Sequence, residues 1–419
     1  MDVVTLGQAR AQGDKRYARP DSVGTRLRAA AVSAAVRNSI DLGAMTTPPT
    51  ITASQTQNSA LTMRLRTVIG GGLGLNSFTF RGGTPTVFAG LAMRPAAVHR
   101  LDAGNLGSNL GSTGGAVEFY SDAPKIEFAV TGGTTTYQIE VDGQAVAASP
   151  RTYEFTGGAM FVTLDFGGVR KSRRYRWETD SSGGGGWDGV AVTPADSVWA
   201  VPKGLRVAVV GDSLVEQTGA TDPNGGYAKV LGKLLGWDDV WCVAIGGTGF
   251  SKTNAGVGGT FGSSARVSDV VTANPDLLVI PASQNDAGLS TSQLTADALA
   301  AYQAYRTALP KVPIICGGVP AASSVSATAG AAEDAVKAAF DSWADKLSWW
   351  IPVTRANDTG NGSGWLFGNG NTSTPANNGN NDVMIGSDGA HPTQHGHNYL
   401  ARRYAAAIRQ NVLTSPRLT

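Results

Sequence analysis

Leu205-Arg206-Val207-Ala208-Val209-Val210-Gly211-Asp212-Ser213-Leu214-Val215 is the stretch that decides the fold. Its first six residues are apolar but for Arg206, as a strand buried in a parallel sheet requires. A glycine follows at once, then two residues that favour turns and caps, so the strand ends abruptly in a loop. The alternation then repeats. Val240 to Ile245, Asp276 to Pro281, Pro313 to Cys316 and Trp349 to Val353 read as further strands. Tyr227–Leu235, Ala265–Thr272, Ser292–Leu309 and Ala331–Leu347 read as the helices between them. This order predicts a doubly wound α/β domain over 203–419. Sites in such sheets lie beyond the carboxyl ends of the strands, so the chemistry is expected in the loops that follow them.

Upstream the pattern changes. All nine tryptophans, both cysteines and three of the four histidines lie at or beyond Trp177. That shift suggests a boundary at the Ser181-Ser182-Gly183-Gly184-Gly185-Gly186 run, with 183–202 as a linker. Over 52–182 the period is two: Ile126, Phe128 and Val130 alternate with other residues, as do Tyr137, Ile139 and Val141, and Val162, Leu164 and Phe166. Asp142-Gly143 between apolar runs is a hairpin signal, because both turn positions need positive φ. A jelly-roll-like β-sandwich is expected there. Arg170, Lys171, Arg173, Arg174 and Arg176 form its basic cluster, read either as a solvated strand face or as a contact with an anionic glycan or the next domain. Residues 1–51 form a separate N-terminal segment. Val23, Leu27, Ala31, Ala34 and Ile40 recur there at helical spacing, and Thr46-Thr47-Pro48-Pro49 ends the pattern.

Composition narrows the function classes. The chain has 419 residues, 55 of them glycine, and 16% charged residues, against about 25% in ordinary domains. A formal charge of +2 provides no field for nucleic acid. No apolar run reaches the roughly 18 residues that span a bilayer, so membrane insertion is not expected. Asp2, Arg10, Asp14, Lys15 and Arg16 leave no room for a signal-peptide core. Cys242 and Cys316 build no disulfide framework and fall inside expected strands, where thiols are buried and inert.

Four blocks carry chemistry. Ser213 stands just past a buried strand, where it is either a nucleophile or an ordinary helix cap. Gly246-Gly247-Thr248-Gly249 ends the second strand, and such glycines bring backbone N–H groups close to a ligand or simply make a turn. Lys252 breaks a dinucleotide fingerprint, and no Gly-Lys-Ser/Thr follows for a P-loop. Ser283-Gln284-Asn285-Asp286 ends the third strand, and the Asn285 amide can donate to an oxyanion or form a turn. In Asp388-Gly389-Ala390-His391-Pro392 the carboxylate can reach the imidazole and fix its tautomer. His391, His395 and His397 also admit a metal reading, which the helix expected after Pro392 disfavours by swinging His397 away. The Asn/Gly-rich stretch from Asn357 to Asn381 is either a lip over the site or a surface insertion.

In this order, each after its strand, the blocks resemble those of the SGNH hydrolases, also called the GDSL family. The resemblance spans about Lys203 to Asn411. It implies Ser213 as nucleophile, the Asp388/His391 pair as its D-x-x-H, and an oxyanion hole of the Ser213 N–H, Gly247 and Asn285. Gly246 and Gly247 compete for that backbone role. No metal or cofactor is implied. Ser283 departs from the family, which usually has glycine there. Gly211-Asp212-Ser213-Leu214-Val215 is not the G-x-S-x-G elbow of the α/β-hydrolases. The sandwich resembles the domain that precedes the hydrolase in some carbohydrate esterases, on Val117-Glu118-Phe119, Val141-Asp142-Gly143 and Trp199 to Gly204. Asp14-Lys15-Arg16-Tyr17 resembles short motifs near the start of bacteriophage tail-fibre and other receptor-binding virion proteins.

The expectation is a serine esterase removing O-acyl groups, O-acetyl first, from a cell-envelope polysaccharide. The resemblances together imply a homotrimer in a virion tail, with other tail proteins as neighbours, acting at the host surface. A glycan-binding platform on a hydrolase-like fold and a lipase or thioesterase are the alternatives.

Overall fold

The structure is a computed structural model. It describes residues 22–37, 44–66, 75–88, 92–96, 115–131, 135–149, 151–153, 159–179, 186–255, 258–321, 326–356, 364–368 and 379–418. The expected fold class is the one observed: a helix, a sandwich of two antiparallel sheets, then a parallel sheet layered with helices. The Asp14–Tyr17 motif and most of 357–381 lie outside the described residues.

Alternation builds the sandwich. Strand Lys125–Thr131 pairs with Ala159–Asp165 on one side and Gly186–Val192 on the other. Strand Arg173–Thr179 lies between Gly115–Ser121 and Thr135–Val141 in the facing sheet. Phe119, Phe128, Tyr175, Trp177 and Trp187 fill the space between the sheets, with Tyr137 stacked on Trp177 at 4.3 Å. Asp142 and Gly143 make the expected turn, at φ 53° and 89°. The glycines that suggested a linker over 183–202 misled. Gly186–Val192 is an internal strand, and Val198–Ala200 pairs with Gly115–Ser121, so the sandwich runs on to Ala200.

Parity also explains the basic cluster. Tyr175 and Trp177 point inward, so Arg174, Arg176 and Glu178 take the outer face, beside Glu118 and Glu140. That face meets the hydrolase domain rather than water. Glu118 is fully buried and bonds Arg81 at 2.9 Å, Arg174 at 2.7 Å and Arg176 at 2.8 Å. Lys233 crosses from the hydrolase side to Glu140 at 2.6 Å and Glu178 at 2.9 Å, and Arg174 reaches Asp238 at 3.2 Å. Burial alone would raise the Glu118 carboxyl, but the three guanidinium groups outweigh it and hold it at about 2. Arg170 is paired with Asp122 and Asp196, and Lys171 with Asp142, so these members of the cluster already have anionic partners.

In the hydrolase domain β1 (Arg206–Gly211), β2 (Asp239–Ala244), β3 (Leu277–Pro281), β4 (Ile314–Gly317) and β5 (Ser348–Ile351) form a parallel sheet ordered β2-β1-β3-β4-β5. The helices are α1 (Val23–Arg37), α2 (Tyr227–Leu235), α3 (Ser264–Ala273), α4 (Thr291–Ala308), α5 (Ser326–Trp343), α6 (Asn381–Met384) and α7 (Gln394–Ile408). Val207, Val209, Cys242 and Val279 face α1, α2 and α7, while Ala208, Val210, Val243 and Ile280 face α3, α4 and α5. The N-terminal helix is part of this layer: Leu27 and Ala31 join its core, and Arg26 pairs with Asp276 at 2.8 Å. The strand order reverses between β1 and its neighbours, which opens a crevice above the carboxyl end of β1.

Candidate active site

Gly211 closes β1, and only glycine fits there, since a Cβ would stand 2.1 Å from Val215 Cγ2. The chain then turns through a helical loop. Asp212 Oδ1 accepts the Leu214 N–H at 2.9 Å, and the Ser213 carbonyl accepts the Thr218 N–H at 2.9 Å. The capping role is therefore taken by Asp212, which frees the Ser213 side chain. Ser213 Oγ lies 2.9 Å from His391 Nε2, and His391 Nδ1 lies 2.6 Å from Asp388 Oδ2.

Short-range bonds make that geometry reproducible. Asp388 Oδ1 accepts the N–H groups of Ala390 at 2.9 Å and His391 at 3.0 Å. Partial burial raises the Asp388 carboxyl, but those two N–H groups and the imidazole win and bring it to about 2. It is thus an anion wherever the imidazole must hold a proton. Gln284 Nε2 donates to the Ala390 carbonyl at 3.0 Å, tying this loop to the end of β3.

The turn after β2 gives its two glycines different surroundings. The Gly246 N–H donates to Glu216 Oε2 at 2.9 Å, so that donor is already used. Gly247 has φ 76°, which an L side chain rarely adopts, and among the described residues its N–H has no recorded acceptor. The turn lies against the serine, since a Cβ on Gly246 would be 3.5 Å from Ser213 Cβ. Asn285 sits in a 3-10 turn after β3, where Ser283 accepts its backbone N–H at 3.0 Å. Its Nδ2 donates to the Thr248 carbonyl at 3.0 Å and stands 3.4 Å from Asp212 Oδ2. Asp286 accepts the N–H groups of Phe250, Ser251 and Lys252, which pins the loop beyond Gly247.

His397 is fully buried on α7, where its Nδ1 accepts the Tyr227 N–H at 3.1 Å and its Nε2 donates to the Thr218 carbonyl at 3.0 Å. Burial drives the imidazole down to about 4, which keeps it neutral in this bridge between α2 and the Ser213 loop. Gln394 supports the same loop by accepting from Thr221 and Asp222, both at 3.0 Å. Sequence reading missed Glu216, Gln284 and Gln394; a polar residue on the buried face of an amphipathic helix was the available signal for His397. His395 is exposed. Among the described residues no three His, Cys, Asp or Glu side chains group as a metal site. A cavity of about 430 Å³ lies between the charged sandwich face and α2, and neither Ser213 nor His391 lines it.

A serine hydroxyl, an imidazole and a carboxylate in one hydrogen-bonded line, beside backbone and amide donors, is an apparatus for acyl transfer through a serine ester. The fold and site define the class as an SGNH-type serine esterase. Residues 209–399 match the GDSL-like Lipase/Acylhydrolase family, and this part of the chain is a hydrolase domain of that family. No curated protein matches the chain in sequence.

Solved structures share its architecture. A salicylyl-acyltransferase from a tetracycline biosynthetic pathway is 15% identical, with 80% of this chain and 96% of that one covered and a TM-score of 0.57. A family two carbohydrate esterase from Clostridium thermocellum is 16% identical, with 79% and 97% covered and a TM-score of 0.53. Another from Cellvibrio japonicus is 11% identical, with 86% and 98% covered and a TM-score of 0.55.

Proposed function

We propose that this esterase removes O-acyl groups, O-acetyl in the first instance, from a polysaccharide of a cell surface, with Ser213, His391 and Asp388 as its catalytic residues. The observation that carries the reading is the line of contacts from Ser213 Oγ through His391 to Asp388, at 2.9 and 2.6 Å. His391 takes the Ser213 proton as the oxygen attacks the ester carbonyl. The N–H groups of Ser213 and Gly247 and the Asn285 amide receive the oxyanion. His391 then protonates the departing sugar hydroxyl, and water, activated by the same imidazole, releases the acid and restores Ser213. A carbohydrate substrate is supported by the likeness to two carbohydrate esterases. With 79% and 86% of this chain covered, those matches extend well outside the hydrolase domain.

Hydrolysis of p-nitrophenyl acetate and butyrate, and acetate release from an acetylated polysaccharide, test this. We expect acetate to be preferred and Ser213→Ala to lose at least about a thousandfold in kcat. Equal rates in wild type and variant would overturn the serine mechanism. Glycan binding without turnover would favour a binding platform, and preference for long acyl chains a lipase or thioesterase. The setting we propose is a homotrimer in a virion tail, on the resemblance of Asp14–Tyr17. Sedimentation of the full chain at the mass of one copy would refute the trimer.

A further inference from the structure

A buried carboxyl that the reaction scheme leaves unused lies directly behind the nucleophile. Asp212 is 4% exposed, and its Oδ2 is in short hydrogen-bond contact with Ser283 Oγ. Ser283 Oγ also stands 2.9 Å from the Thr248 carbonyl and accepts the Asn285 backbone N–H at 3.0 Å. A hydroxyl has one proton. With Asp212 ionised, Ser283 faces two oxygen acceptors, and one contact sets lone pair against lone pair. With a proton on Asp212 Oδ2 all three contacts are complementary. The acid then donates to Ser283, Ser283 donates to Thr248, and the second Ser283 lone pair takes the Asn285 N–H.

The surroundings favour the neutral form. Among the described residues no Lys or Arg forms an ion pair with Asp212. Arg266, reaching in from α3, is directed to the carbonyls of Gly211 and Val243 and to Thr248 Oγ1. Glu216, on the same loop, bonds the Gly246 N–H. Tyr227 on α2 and Tyr404 on α7 approach from the other layer. Burial raises the Asp212 carboxyl above the usual range and outweighs the lowering by its hydrogen bonds with Ser283 and the Leu214 N–H; the nearby Asp286 adds to the rise and His391 opposes it.

We propose that Asp212 is a positioning residue that works as a neutral carboxylic acid. Its relay through Ser283 to Thr248 seats the Asn285 amide and keeps a full negative charge away from the forming oxyanion. An ionised Asp212 would draw Asn285 Nδ2, 3.4 Å away, toward itself and oppose the charge that develops on the ester oxygen. Ser283, the residue that departs from the family pattern, is the acceptor that makes the neutral acid favourable. The functional half of this inference rests on the esterase mechanism above; the protonation state does not.

The test is infrared difference spectroscopy of the full chain, wild type minus Asp212→Asn, at neutral pH, together with pH profiles for p-nitrophenyl acetate. We expect the C=O stretch of a protonated carboxyl, present in wild type and lost in the variant. Asp212→Asn is isosteric and can give an amide N–H to Ser283, so it should fall no more than about tenfold and lose the alkaline decline expected of wild type when Asp212 ionises. Absence of the band overturns the proposal whether or not any ester is cleaved. So does a well-folded Asp212→Asn that is as inactive as Ser213→Ala while Ser213 still governs turnover. If Asp212→Asn does not fold, Ser283→Ala decides: losing the acceptor must shift the carboxyl band, and an unmoved band refutes the relay.

Discussion

Protonation of His397 should loosen the loop that carries Ser213. In the folded chain its two nitrogens are committed to opposite roles: Nδ1 accepts from Tyr227 and Nε2 donates to Thr218. A proton on Nδ1 would place two N–H groups face to face inside a site with no water access. The imidazole accordingly titrates at about 4 when folded, against 6.5 when exposed. Because the folded value is the lower one, the unfolded chain binds more protons between these two values. This contribution to stability is therefore whole above 6.5, falls as the pH drops and levels off below about 4. Between pH 7 and pH 5 the loss is about 2 kcal/mol, or about 4–8 °C in Tm for a unit of about 200 residues. The assay compares thermal and urea unfolding of wild type and His397→Asn at both pH values. Asparagine can take the Tyr227 N–H and does not titrate, and subtracting the two proteins cancels the other groups. The stability gap between them should narrow by about 2 kcal/mol as the pH falls. A gap that stays constant within a few tenths of a kcal/mol would refute the neutral bridge.

Three further outcomes are expected. Asn285→Ala should lower kcat about a hundredfold to a thousandfold with little change in KM, because its amide acts on the transition state; a loss confined to KM would contradict that role. Gly211→Ala sets a Cβ 2.1 Å from Val215 and must shift the nucleophile loop. Activity should fall about a hundredfold while circular dichroism keeps the native fold, and wild-type activity would refute the packing argument. Glu118→Gln removes the shared anion of three guanidinium groups at the junction with the sandwich. It leaves the buried Arg81 with no carboxylate among the described residues, while Arg174 keeps Asp238 and Arg176 keeps Glu178. Urea unfolding should show a loss of about 3–5 kcal/mol. Since Glu118 is held at about 2 against 4.5, that contribution is present above 4.5 and disappears as the pH falls through about 2.

Much of the fold is local and was legible. Period-two runs such as Ile126–Val130 mark half-buried strands, and apolar runs such as Val207–Val210 mark strands covered on both faces. Ser213, Gly247 and Asn285 could each be picked out because each follows a strand, where a parallel sheet presents side chains, and Asp388–His391 because its carboxylate and imidazole are three residues apart, on the loop between α6 and α7. What failed was local too. Gly183–Gly186 looked like linker, yet Gly186–Val192 is held in the sheet by neighbours more than fifty residues away. Periodicity tells which face of an element is apolar, not what covers it. Only the tertiary structure shows that α1 is roofed by the hydrolase helices, that Arg174 and Arg176 meet Glu118 and Asp238 rather than water, and that Glu216 occupies the Gly246 N–H and leaves Gly247. The same holds for His391, which reaches Ser213 across 178 positions of chain. Such contacts depend on how layers pack, and packing brings together residues whose spacing along the chain carries no period at all.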